Sequence, residues 1–228
     1  MRNLFHAVFY WVNIRSWAWL IVWLVTRRAI RGREGLPSQG ALILARPPLN
    51  LADPPILTVV MPRRVVWMGK QELFDIPVFG LLYHLLGCIP VRRFQADLRA
   101  LRRSQAALQR GLVLGMFPEG TRSAGQGLTR AEPGTALLAI RTDTPVMPVA
   151  IWGTEDVRLP RDFFRRTPVH VVFGEPFRLP KPQRLTKEAV EEGADLIMRR
   201  IAELLPERYR GVYAGGQPQA LEAKEGAR

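Results

Sequence analysis

From residue 41 onward, short β-rich runs take turns with longer segments whose apolar residues recur at helical spacing. No other feature restricts the chain as much. The strand-like runs cover 41–45, 65–68, 88–91, 112–117, 146–152 and 169–173. Between them lie helical patterns at 53–60, 77–86, 95–110 and 131–142, and a last one at 187–205 follows Thr186 as N-cap. In the third of these, Leu98, Leu101 and Leu108 are expected to share a face while Arg99, Arg102, Arg103 and Arg110 take the others. Such alternation predicts an α/β fold with a largely parallel central sheet flanked by helices. At 228 residues and 47% apolar content the chain can bury one core of that kind. A single α/β domain is therefore expected over 34–213, with 214–228 a polar, disordered tail.

The first 33 residues have a different character. Leu4 to Val25 reads LFHAVFYWVNIRSWAWLIVWLV, 22 residues with four tryptophans and Arg15 as the single charge, and a basic flank, TRRAIRGR, follows. That length would just cross a bilayer, yet Asn13 and Arg15 sit near its middle, and an Arg there costs about 3 kcal/mol. A membrane-associating helical segment lying in the interface, or a re-entrant helix pair, fits better, with tryptophans at the headgroup boundary and arginines beside anionic lipid. Lysine and arginine total 33 against 20 acidic residues, a net charge of +13, so an anionic partner is expected. Nucleic acid is disfavoured, because the tryptophans cluster in the apolar N-terminus instead of interleaving with basic residues. The single cysteine, Cys88 in Gly87-Cys-Ile-Pro90, excludes an intrachain disulfide, points to a reducing compartment and reads as a small buried apolar residue.

In open parallel sheets, binding groups collect on loops at the carboxyl ends of strands. Three joints qualify: Arg46 to Asp53, Arg92 to Phe94 and Pro118 to Ser123. The third lies in Met116-Phe-Pro-Glu-Gly-Thr-Arg-Ser123, where free amides of a turn and a guanidinium can bind a phosphate bidentately. Glu119 beside Arg122 can accept hydrogen bonds from a polyol hydroxyl or hold the arginine; a structural turn with a surface arginine is the plainer alternative.

FPEGTRS resembles the signature block of the glycerolipid acyltransferases typified by lysophosphatidic acid (1-acylglycerol-3-phosphate) acyltransferase. Gly87-Cys-Ile-Pro-Val-Arg-Arg93 is similar to the second block of that family, Val146-Met-Pro-Val-Ala-Ile151 to the fourth, and Leu49 to Leu57 to the downstream part of the first. The resemblance implies that a fatty acyl group passes from a thioester donor, acyl-CoA or acyl carrier protein, to a lysophospholipid in phospholipid biosynthesis. It also implies that no further cofactor or metal is used, and that the protein sits on the cytoplasmic face of a membrane. Arg93 and Arg122 would bind the acceptor phosphate, with Glu119, Gly120 and Thr121 shaping the pocket. The family's first block is H-x-x-x-x-D, a histidine base oriented by an aspartate. Here the aspartate is Asp53, but Pro48 stands five residues before it and Pro47 precedes that. His6, His84 and His170 do not fill the gap by position. Two readings follow: an acyltransferase impaired by the missing histidine, or a non-catalytic lipid-binding pseudoenzyme at the membrane surface.

Overall fold

The computed structural model describes residues 15–46, 53–92, 97–120, 127–157 and 166–215. Seven strands among them form one sheet in the order β1-β7-β6-β2-β5-β3-β4. They are β1 (Thr26–Arg31), β2 (Leu42–Ala45), β3 (Val65–Lys70), β4 (Ile89–Val91), β5 (Val113–Met116), β6 (Val146–Trp152) and β7 (Thr167–Phe173). β2, β3, β4, β5 and β6 run in one direction. β7 turns back against β6, and β1 lies parallel to β7 at the edge. The fold is thus α/β with a mostly parallel sheet, as the alternating pattern requires.

Burial explains the composition of the strands. β2, β5 and all but the last residue of β6 are buried throughout, because helices cover both faces of the sheet's centre, so these strands read as unbroken apolar runs. Leu42 and Leu44 point to one face, against α1 (Arg15–Val25), α2 (Asp53–Val60) and α4 (Pro77–Leu86). Ile43 and Ala45 point to the other, against α5 (Leu98–Gln109), α6 (Gly134–Thr142) and α7 (Lys187–Leu204). A short helix, α3 (Gln71–Phe74), bridges β3 and α4. At the amino ends of the strands the Arg63 guanidinium donates to the carbonyls of Pro37, Gly40 and Gly111, tying three loops together. Thr186 caps α7 as expected, its Oγ1 accepting from the Ala189 amide at 3.2 Å.

Two expectations change. Thr26 to Arg31, read as a basic flank beside a membrane segment, folds as the edge strand β1; its arginines project from a half-exposed strand, so its sequence carries charge where a central strand carries valine. Leu98 is 61% exposed because the face that α5 buries is made by Ala100, Ser104, Ala107 and Leu108, and the helical period turns Leu98 to one side of it. Of the N-terminal segment expected to associate with a membrane, only α1 lies within the described residues, and none of the described helices is long and apolar enough to cross a membrane. Residues 1–14 and the tail from 216 lie outside the described residues.

Candidate functional site

Register brings the site together. β2 and β5 are neighbours with Ala45 opposite Met116, so the residues just beyond them, Arg46 and Phe117, emerge side by side at the carboxyl ends. The Arg46 amide donates to the Met116 carbonyl at 3.3 Å, extending the ladder by one bond. Its side chain is 0% exposed and ion-paired with Asp53, which is also 0% exposed. Asp53 opens α2, where the helix dipole favours an anion, and Pro54 and Pro55 fit the first turn because amides there have no intrahelical acceptor.

An aromatic floor lies beneath this pair. The Arg46 guanidinium carbon sits 5.4 Å from the Phe117 ring centre, and Phe117 stacks on Trp67 at 5.8 Å. Gly115 makes room for that indole, since a Cβ there would come within 2.2 Å of it. Trp67 is held in turn by its indole N–H, which donates to Thr58 Oγ1 of α2 at 2.9 Å. Beyond Phe117 the chain makes a tight turn, the Gly120 amide donating to the Phe117 carbonyl at 3.0 Å with Gly120 at a φ of 66°. Within it Glu119 is buried at 3% exposure, and its carboxylate attracts the Arg46 guanidinium. Burial pushes that guanidinium below its ordinary value, while Asp53 and, more weakly, Glu119 act in the opposite sense. Arginine starts so far above neutrality that it remains a cation.

Asp53, Glu119 and Gly120 therefore converge at one end of the sheet. Arg93, Thr121, Arg122 and Pro48 lie outside the described residues, and so does His6. His84 stands in the last turn of α4, which delivers the chain to the start of β4, the end of the sheet away from Asp53; its ring meets Phe74 edge-on at 5.3 Å. His170 stacks on Trp152 at 4.9 Å. Among the described residues, then, no imidazole joins Asp53, and no group of three metal-ligating side chains is present. A cleft of about 530 Å³ between Gly40, Gln105, Gln109, Arg141 and Arg178 opens at the amino ends of the strands and is separate from this site. Sequence reasoning missed Arg46, Phe117 and Trp67; the signal was an arginine ending an apolar strand seven residues before a carboxylate.

Fold and site define a mostly parallel α/β protein that gathers buried charge at the carboxyl ends of its central strands, where such folds handle ligands. Residues 27–152 match the model of the Acyltransferase family. A 1-acyl-sn-glycerol-3-phosphate acyltransferase of Haemophilus influenzae is 31% identical over 169 residues, 71% of this chain and 69% of that protein. One of Borreliella burgdorferi is 26% identical over 153 residues, 64% of this chain and 59% of that protein. The chain belongs to the Acyltransferase family. The crystal structure of a 1-acyl-sn-glycerophosphate (LPA) acyltransferase from Thermotoga maritima shares the fold, with a TM-score of 0.68 over 90% of this chain and 83% of that one at 24% identity. Against the Brassica napus, Borreliella and Salmonella typhimurium relatives, the match spans 41% to 59% of their length.

Proposed function

We propose that the chain transfers a fatty acyl group from a thioester donor, acyl-CoA or acyl carrier protein, to a 1-acylglycerol-3-phosphate, forming phosphatidic acid at a membrane surface. The observation that carries this reading is the convergence of Asp53 and Glu119 at the ends of β2 and β5 in a chain of this family. In the reaction the acceptor hydroxyl adds to the thioester carbonyl, the C–S bond breaks, and the hydroxyl proton must leave. Glu119 is suited to accept a hydrogen bond from that hydroxyl, and Arg93 and Arg122 to meet the phosphate. A carboxylate is a weak base for an alcohol, so transfer depends on proximity and electrostatics. A positioned base typically contributes roughly 10² to 10⁴-fold, and turnover is expected to be lower than that of a histidine-bearing relative by about that factor.

The pairing of Asp53 with Arg46 favours a second reading, a lipid-binding protein that has kept the pocket without the chemistry. Supplying labelled acyl-CoA or acyl carrier protein with 1-acylglycerol-3-phosphate on anionic vesicles separates the two. Slow, donor-dependent phosphatidic acid formation is expected; saturable binding of the lysolipid with no product would establish the second reading instead.

A further inference from the structure

The carboxylate that the H-x-x-x-x-D pattern assigns to an imidazole already has a partner in this chain. Arg46 reaches Asp53 from a backbone locked to β5, its guanidinium is sealed from solvent over the Phe117 ring, and Glu119 adds a second attraction. An imidazole placed five residues before Asp53 would have to compete with a preformed buried ion pair. A guanidinium cannot accept a proton at any pH the protein meets, so as the partner of Asp53 it supplies a fixed charge and does not replace an imidazole as base.

We propose that Arg46 has taken over histidine's place as the partner of Asp53, as a positioning residue that holds the carboxylate and makes this end of the pocket a fixed-charge site. The link to catalysis rests on the acyltransferase reading; the pairing and its effect on a neighbouring imidazole do not. Arg46 acts through Asp53 and through the positive charge it lodges beside Phe117. A merely structural ion pair would affect stability alone, whereas this one decides whether a restored histidine can function.

The test is the titration of the imidazole introduced by Pro48→His, followed by NMR, in the otherwise unchanged chain and together with Arg46→Gln. With Arg46 present, Asp53 stays engaged and the nearby cation disfavours imidazolium, so the imidazole should titrate at or below its ordinary value of about 6.5. With Arg46→Gln, Asp53 loses its guanidinium partner and the imidazole should titrate at least about one unit higher. Transfer of labelled acyl groups should follow the same order: less than about 3-fold gain for Pro48→His alone, and a further gain of about 10-fold or more in the double variant. That gain should rise with pH as the imidazole loses its proton. An imidazole already titrating about a unit above its ordinary value in Pro48→His alone would show that Asp53 serves it despite Arg46, and would overturn the proposal. So would equal titration in the two backgrounds. Should no variant make phosphatidic acid, the acyltransferase reading fails, while the two titrations still decide the partnership. Should Arg46→Gln fold too weakly for NMR, Pro48→His alone decides it, and Arg46→Lys beside it should leave the imidazole low because the cation is kept.

Discussion

Burial acts on Cys88 and Arg46 by the same rule with opposite consequences. Both lose the stabilisation that water gives to a charged form; the Cys88 thiol is pushed up to about 12, whereas the Arg46 guanidinium, lowered from its ordinary value, stays charged beside Asp53 and Glu119. Cys88 should therefore be inert. Alkylation by iodoacetamide at pH 8, followed by mass spectrometry, should be at least about 100-fold slower in the folded chain than in denaturant, because the thiolate is the reactive form. Comparable rates would mean that the thiol is accessible and ordinary. Cys88 was legible in the sequence because Gly, Ile and Pro surround it, and Asp53 and Glu119 were legible because motifs carry them. Arg46 was not, since an arginine between an apolar strand and two prolines reads as a surface residue. Its complete burial and its ion pair with Asp53 show that it turns inward.

The central strands and most helices could be read from sequence because both faces of the sheet's centre are dry, and unbroken apolar runs follow from that. β1 could not. As an edge strand it needs apolar contact on one side only, so TRRAIR has neither a continuous run nor a clean alternation of apolar residues. Helix ends follow local rules, as α5 illustrates. The Asp97 carboxylate accepts from the amides of Arg99 and Ala100 and from that of Arg92 on the preceding segment. The Ala100 bond is the largest of the influences that hold this carboxyl below the usual range. A carboxyl depressed in the folded state stabilises the fold above its unfolded value, and the effect disappears as pH falls through the folded one. Asp97→Ala should thus cost about 1 kcal/mol at pH 7, seen as a melting point lower by roughly 2 to 4 °C, with the gap closing at pH 3. An unchanged gap at pH 3 would show that the ionised cap is not the cause.

On the scale of the whole molecule, α1 presents an exposed aromatic surface with an arginine laid over it. Trp19 and Trp23 of α1 stack on each other at 6.3 Å and remain 49% and 40% exposed, with Leu20 and Ile21 beside them. Arg166 lies over the Trp23 ring at 4.9 Å, and burial together with Arg166 lowers the nearby Arg28 guanidinium. α1 packs on α2, the helix that Asp53 opens. Exposed tryptophans beside arginines are a composition that suits an anionic lipid surface, in keeping with the net charge of +13. The most direct measurement is phosphatidic acid formation on anionic vesicles by the unaltered chain beside Asp53→Asn, each first shown to be folded. Slow product formation that falls at least about 10-fold in Asp53→Asn is the predicted result; equal rates in the two proteins, or no product from either, would contradict the account.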